Sequence, residues 1–207
     1  MPEFTLHCFA ESGNAYKAAL MLELTGQRWQ PRFVDFFNGQ TRDPAWREEH
    51  NEQGEVPVLE HGARTFTQSA LILDYLAGLT GQYAAHDEDE KREIWRWMLF
   101  DNHKFTSYYA ALRFFYCLKQ TGDTPVTQFL RERATAAYRV VDVHLADTPF
   151  MVGGRLTIAD LSLAGYVFMP EDTGMAVQQF THIEAWKDRI RAEPGWKHPY
   201  ELMPRQA

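Results

Sequence analysis

Residues 4–24 place the strongest constraint on how this 207-residue chain can fold. Residues 4–9 are rich in β-formers, and a polar turn follows at residues 11–14. An amphipathic run then begins at Ala15 and ends at Thr25-Gly26. The pattern predicts a strand, a turn and a helix in immediate succession.

The amino end of this predicted helix is a favourable place for a negative charge. Ser12 and Asn14 lie there beside backbone N–H groups that have no partner inside the helix, and the helix dipole favours an anion. Either residue can also cap the helix, because both types are favoured at that position for structural reasons alone. The sequence therefore leaves two interpretations, an anion site and a helix cap.

The composition is that of a globular protein with a substantial core, since 45% of the residues are hydrophobic and 14% are aromatic. A net charge of -7 argues against nucleic acid and anionic membranes as partners, because both require clustered Lys and Arg. No signal sequence is visible, and no apolar run approaches the roughly 18 residues of a membrane helix. We expect a soluble, cytoplasmic protein.

The cysteines and histidines show no motif for a disulfide or a metal. Cys8 and Cys117 form no CxxC pair, and the position of Cys8 in the strand pattern favours a buried structural thiol over a reactive one. The eight histidines lack a ligand spacing such as HExxH. We expect no disulfide framework and no metal.

The first 78 residues predict an α/β unit of four strands. Pro31 confines the second strand to an edge, Asp43 caps a short helix that Gly54 closes, and Gly78 ends the last helix of the unit. Pro57, within an apolar strand, is a candidate for a cis peptide bond. The predicted strands cover residues 4–9, 29–36, 56–60 and 64–67, and the predicted helices cover residues 15–25, 44–50 and 70–77.

Beyond a polar linker at residues 79–90, the sequence predicts only helices. One long helix or two consecutive ones cover residues 87–120, and another runs from Thr124-Pro125 to about residue 145. Residues 157–160 and 181–184 both have the Thr-x-x-acid form of a capping box and predict two more helix starts. The predicted domains are therefore residues 1–78 and 91–207.

Four motifs follow one another along the chain within an α/β unit and an all-α domain: SGNAYKAALML from Ser12, GEVPVLE from Gly54, TFTQSALILDYL from Thr65 and TIADLSLAGY from Thr157. In this order and spacing they resemble the cytosolic glutathione S-transferase family, in its bacterial type with a serine at the activating position. The resemblance spans nearly the whole chain. It implies a thioredoxin-like N-terminal domain that holds glutathione as co-substrate, and an all-helical C-terminal domain that walls a pocket for small hydrophobic electrophiles, in a homodimer.

The resemblance also implies roles for single residues. Ser12 matches the serine that hydrogen-bonds the glutathione sulfur, and Asn14 is a second candidate donor. Val56 precedes the expected cis-proline, Pro57, and its backbone matches the group that pairs with the cysteinyl part of glutathione. These four residues would hold and activate the thiol.

The two carboxylate ends of glutathione are assigned in the same way. Gln68 and Ser69 match the pair that holds the γ-glutamyl end, which suits a carboxylate at the amino end of a helix. Arg42, or Gln40 beside it, matches a group for the glycine carboxylate. Asp101 matches acidic residues that reach the γ-glutamyl amine across a dimer interface; an exposed helical Asp is the alternative.

Some residues depart from the family pattern and narrow the chemistry. Glu55 stands where the family often has lysine, so basic assistance at that position is disfavoured. Tyr16 lies inside the helix and Cys8 precedes the turn, so activation by tyrosine and disulfide chemistry by cysteine are both disfavoured. Tyr108 and Arg113 are candidates for the electrophile pocket within an aromatic run that is mostly expected to be core.

The function implied by the resemblance is conjugation of the glutathione thiolate to a small hydrophobic electrophile. Glutathione-dependent reduction of a peroxide or disulfide would use the same thiolate on a different acceptor. A non-catalytic protein that only binds glutathione is the third alternative.

Overall fold

The computed structural model describes residues 3–205, which form two compact units. The first unit runs to Ala84 and also includes the segment from Glu193 onward, and the second unit covers Ala85–Ala192. The domain limits of 1–78, 79–90 and 91–207 stay predictions, and residues 1, 2, 206 and 207, which they include, lie outside the described part of the chain.

A mixed four-stranded sheet with helices makes the first unit thioredoxin-like, as predicted. The strand order is β2-β1-β3-β4; β1 is parallel to β2 and antiparallel to β3, and β3 and β4 form an antiparallel hairpin. Pro31 lies in β2, which is an edge strand as expected. The strands are β1 (Phe4–Cys8), β2 (Trp29–Phe33), β3 (Val58–His61) and β4 (Arg64–Thr67).

Nine α-helices are found in residues 3–205, four of them in the first unit. Those of the first unit are α1 (Gly13–Leu24), α2 (Pro44–Glu49), α3 (Ser69–Thr80) and α9 (Pro199–Leu202), and those of the second are α4 (Glu88–Phe100), α5 (Thr106–Arg113), α6 (Pro125–Asp147), α7 (Ile158–Leu163) and α8 (Thr181–Arg191). No described helix combines the length and apolar character needed to cross a membrane.

Two predicted helix ends in the first unit were wrong. Gly78 lies inside α3, which ends at Thr80, and Gly81 adopts the left-handed φ of 68° that terminates it. One glycine inside a helix costs only about 1 kcal/mol, and α3 packs against α1. Helix α2 ends at Glu49, before Gly54, although Asp43 caps it and Pro44 is its first residue, as predicted.

The second unit is built from helices, as predicted. The run expected over residues 87–120 is one continuous stretch, in which π-helical turns at Asp101–Phe105 and Phe114–Leu118 follow α4 and α5. Thr124 caps α6 and Pro125 is its first residue.

The two predicted capping boxes of the second unit had different outcomes. Thr157 and Asp160 form the expected reciprocal box at the start of α7. The box expected at Thr181 and Glu184 was wrong, because α8 begins without a cap from its own side chains. Asp142 of α6 caps α8 instead.

Candidate functional site

The strand register brings three segments of the first unit to one end of the sheet, where β1 terminates. His7 of β1 pairs with Val58 of β3, and Val58 pairs with Thr67 of β4. Because both pairs are antiparallel, β1 and β4 end at the same end of the sheet at which β3 begins. The segments that carry Ser12, residues 56–57 and residues 68–69 all adjoin this end of the sheet.

Ser12 is the buried N-cap of α1. Its Oγ accepts a hydrogen bond from the Ala15 N–H at 3.2 Å, so the capping interpretation is confirmed. Capping uses a lone pair of the oxygen, and no group in residues 3–205 accepts the proton of the hydroxyl. The same side chain can therefore cap the helix and donate to an anion.

The groups around Ser12 have unused hydrogen-bonding capacity. The N–H groups of Gly13 and Asn14 have no acceptor within the described chain, as expected for the first turn of a helix. The Oδ1 atom of Asn14 is buried and also lacks a partner there. Buried polar side-chain atoms are rarely left unpaired, so this atom distinguishes the turn from an ordinary helix start.

A second helix start with unused donors lies at α3. Gln68, which precedes the helix, has a positive φ of 68° and gives it no side-chain cap, and the N–H groups of Ser69 and Ala70 have no partner in residues 3–205. The Gln68 Nε2 donates to Gln53 Oε1 at 2.6 Å and to Glu55 Oε2 at 3.2 Å. Ser69 is buried at the first helical position.

The peptide bond between Val56 and Pro57 is cis, which confirms the prediction for Pro57. Pro57 is buried, and the N–H and C=O of Val56 meet no partner in the described chain. The preceding turn requires glycine at position 54, because its φ is +70° and a Cβ there would lie 2.6 Å from the Arg47 guanidinium. Glu55 turns its carboxylate toward Gln68.

Arg42 is exposed in a 3₁₀ turn, Gln40–Arg42. Within residues 3–205 no hydrogen bond or ion pair joins its side chain to Ser12 or Ser69, so its role toward the glycine carboxylate stays a prediction. The Gln40 Oε1 accepts the Asp35 N–H at 2.7 Å and thus serves the loop itself.

Asp101 is not the exposed residue of the alternative interpretation. It is fully buried in the π-helical turn, where its two carboxylate oxygens accept the hydroxyls of Thr106 at 2.6 Å and Ser162 at 2.7 Å. A buried carboxylate needs such donors. Its partners lie within its own subunit, and contact across a dimer interface stays a prediction.

The two candidates for the electrophile pocket, Tyr108 and Arg113, do not line the cavity found in the second unit. Arg113 is buried, and its Nε donates to Glu171 at 2.8 Å. A cavity of about 360 Å³ in the second unit is lined by Tyr109, and Tyr108 is half-buried outside that lining. Tyr138, Glu184 and Lys187 also line the cavity.

Cys8 and Tyr16, which the sequence analysis disfavoured for activating the glutathione thiol, both have structural positions. Cys8 is buried, and burial raises the pKa of its thiol to about 12, so it is not a nucleophile at neutral pH. Tyr16 is buried in α1, and its hydroxyl donates to the carbonyl of Lys197 at 2.8 Å.

Sequence analysis missed the segment that supports the Ser12 turn from the other end of the chain. The Ala10 N–H donates to the Pro204 carbonyl at 2.9 Å, and Arg205 Nε donates to Glu11 at 2.9 Å. These contacts join residues more than 190 positions apart, so no local pattern in the sequence could indicate them.

Comparisons with known proteins identify the family to which both units are similar. A model of the glutathione S-transferase N-terminal domain matches residues 6–83, and one of the C-terminal domain matches residues 107–194. Glutathione S-transferase F14 of Arabidopsis thaliana is 26% identical over 210 residues, covering 92% of this chain and 80% of the relative. A maleylacetoacetate isomerase of Rhizobium meliloti is 30% identical over 180 residues, covering 80% of this chain and 81% of the relative.

The solved structures include a possible glutathione S-transferase from Rhodopseudomonas palustris. It is 30% identical and has a TM-score of 0.88, covering 95% of this chain and 98% of that chain.

Proposed function

Because this chain belongs to the glutathione S-transferase family, we propose that it binds reduced glutathione, stabilises its thiolate and transfers it to a small hydrophobic electrophile. The observation that carries the proposal is the turn before α1. There the Ser12 hydroxyl proton and the N–H groups of Gly13 and Asn14 are unused within the described residues. These donors suit a thiolate.

The other segments at the same end of the sheet fit the remaining parts of glutathione. The Ser69 hydroxyl and the unused N–H groups of α3 would receive the γ-glutamyl carboxylate. The Gln68 amide oxygen would accept from the γ-glutamyl amine, and the Val56 backbone would pair with the cysteinyl unit. Arg42 would meet the glycine carboxylate.

The energy required for thiolate formation is within reach of these groups. A thiol with a pKa of about 8.5 needs a shift of about two units to be mostly ionised at neutral pH, which equals about 2.7 kcal/mol. One hydrogen bond to a charged acceptor contributes about 1.5 to 3 kcal/mol, and a helix amino terminus about 0.3 to 1 kcal/mol. Ser12 thus acts as a donor, and no general base is required.

The test is the ultraviolet absorbance of enzyme-bound glutathione thiolate as a function of pH. In the wild type the bound thiol should titrate well below its ordinary pKa. Ser12→Ala should raise that pKa by about one unit or more, because one charged hydrogen bond is lost. Ser12→Thr is the matched control, since threonine keeps both the cap and the hydroxyl.

The possible outcomes distinguish whether the protein activates glutathione from which group activates it. An ordinary thiol pKa in the wild-type complex would contradict the transferase proposal and favour a protein that only binds glutathione. A low pKa that persists in Ser12→Ala would assign activation to Asn14 or the backbone. Product analysis then distinguishes the reactions, because a thioether indicates transfer and oxidised glutathione indicates reduction of a peroxide or disulfide.

The proposal includes a cytoplasmic homodimer. Large leucines are exposed on helices of both units: Leu71 at 48% and Leu79 at 49% on α3, and Leu99 at 62% on α4. A contiguous exposed apolar patch is typical of an interaction surface, and we propose that these leucines contribute to one. Light scattering of the purified protein measures the assembly directly, and a monomer at micromolar concentration would contradict it.

A further inference from the structure

Three potential metal ligands meet on one face of the sheet in the first unit. His7 of β1, His50 at the carboxyl end of α2 and Glu60 of β3 each place a ligand atom within 4.8 Å of the other two. They are the only such group of three His, Cys, Asp or Glu side chains found in residues 3–205. None of them belongs to the proposed glutathione site.

The fold brings these residues together for identifiable reasons. His7 pairs with Val58, and Glu60 lies two residues further along β3, so the His7 and Glu60 side chains project from the same face. Helix α2 packs on that face through Trp46, which joins Val58 in a small buried cluster. His50 follows α2 directly, and its ring lies 4.5 Å from that of His7.

The donor atoms are of types that bind a metal and lie close together. His7 is 1% exposed, and a neutral imidazole offers a nitrogen lone pair to a metal ion. Its Nε2 lies 2.7 Å from Glu60 Oε1. The side chains of His50 and Glu60 are 12% and 33% exposed, which leaves a path from solvent.

We propose that His7, His50 and Glu60 bind a divalent transition-metal ion of the zinc type, with water as the fourth ligand. Two imidazoles and one carboxylate are a ligand set that suits Zn²⁺. The metal takes the place of the hydrogen between His7 Nε2 and Glu60 Oε1, and that hydrogen moves to Nδ1, so the imidazole stays neutral and binds the metal through Nε2. Ligands about 2.1 Å from a tetrahedral ion lie roughly 3.4 Å apart, so this contact opens by less than about 1 Å.

Neighbouring charges permit this occupancy. Glu49 has a carboxylate oxygen 3.8 Å from His50 Nε2 and adds negative charge beside the site. Arg32 faces His7 across β1 and β2, but it is exposed, so solvent screens its charge. The spacing of the histidines led us to expect no metal. Local spacing could not indicate this group, because 53 positions separate His7 from Glu60.

The test is Zn²⁺ binding to the full chain after removal of metals with a chelator, followed by competition with a chromogenic chelator. Glutathione is omitted, because its thiol binds zinc itself. Ligand-field absorption of added Co²⁺ reports the coordination geometry. The variants are His50→Ala and Glu60→Gln, singly and together; both side chains are partly exposed, and neither residue belongs to the proposed glutathione site.

The expected result is at least a tenfold to hundredfold loss of Zn²⁺ affinity in each variant, the range seen when even an outer partner of a metal ligand is removed. Zn²⁺ should also raise the unfolding temperature of the wild type and not that of the double variant. His61→Gln is the control, because His61 follows Glu60 in β3 and projects from the opposite face. Equal affinity in the wild type and the double variant, or an equal loss in His61→Gln, would overturn the proposal.

Discussion

Helices α7 and α8 begin with the same Thr-x-x-acid pattern, and they are capped in different ways. At α7, the Thr157 N–H and hydroxyl donate to Asp160 Oδ2 at 2.9 and 3.0 Å. At α8, the N–H groups of His182 and Ile183 donate to Asp142, at 3.0 and 3.1 Å. An identical local pattern therefore leads to a local cap in one place and a distant cap in the other.

The difference follows from what else each acid can bind. Asp160 is fully buried, and its other oxygen accepts the Met151 N–H at 2.8 Å and the Trp186 indole at 2.9 Å, so four donors surround one carboxylate. Glu184 accepts two hydrogen bonds from Lys187, one turn further along α8. A cation is a stronger partner than a backbone N–H, so the acid turns away from the cap.

The largest effect is expected for Asp160→Ala. The substitution leaves buried donors of Met151, Thr157 and Trp186 without an acceptor, and each costs about 1 to 3 kcal/mol. The free energy of unfolding should fall by about 3 kcal/mol or more, as measured by urea denaturation. Asp160→Asn retains one acceptor and should lose less. A loss below about 1 kcal/mol for the alanine variant would show that the buried box does not stabilise α7.

A smaller effect is expected for Asp142→Ala, which removes the distant cap of α8. The loss should be about 1 kcal/mol, the usual contribution of an N-cap side chain. The matched control is Thr181→Ala, which the pattern alone would predict to be equally harmful. Because Thr181 caps nothing, its loss should stay within about 0.5 kcal/mol. If urea denaturation showed a larger loss of unfolding free energy for Thr181→Ala than for Asp142→Ala, the local capping box would be the cap of α8 after all.

The smallest effect at neutral pH concerns a third helix start, that of α4. Asp87 caps it, and Glu90, three residues on, accepts the His86 N–H and a two-point ion pair from Arg155. Solvent screens this partly exposed pair, so Glu90→Gln should cost less than about 1 kcal/mol at pH 7. Gly153 makes room for the pair, since a Cβ there would overlap it.

The same variant has a defined pH dependence. The hydrogen bonds from Arg155 hold the pKa of Glu90 at about 2, below its ordinary value of 4.5. A lowered carboxyl pKa contributes stability that is present above the unfolded value and lost as pH falls from about 4.5 to about 2. The difference in unfolding temperature between wild type and Glu90→Gln should shrink across that window. A constant difference would contradict the ion pair.

Features of the fold that depend on neighbouring residues were predictable from sequence. The strand and helix around Ser12, the cap at Asp43, the cis bond at Pro57 and the box at Thr157 all follow from local chemistry. The burial of Asp101 was not predictable, because its partner Ser162 lies 61 positions away. Long-range partners of this kind depend on tertiary packing that local patterns do not encode.

The candidate site shows the same limit. The Ser12 cap was visible in the sequence, but the unpaired Asn14 Oδ1 and the contacts of Gln68 with Gln53 and Glu55 were not. Those contacts depend on how the segment after α2 returns to the sheet. The role of Arg42 stays a prediction for the same reason, since the side chain is exposed and its position follows no buried contact.

The contacts between the Ser12 turn and residues 197–205 have a consequence for the order in which the protein matures. During synthesis the first strand and helix leave the ribosome early, whereas Lys197, Pro204 and Arg205 follow only after the whole helical unit has been made. The partners of Ala10, Glu11 and Tyr16 are therefore absent until then. The turn that carries Ser12 therefore gains these contacts only after residues 197–205 have been made.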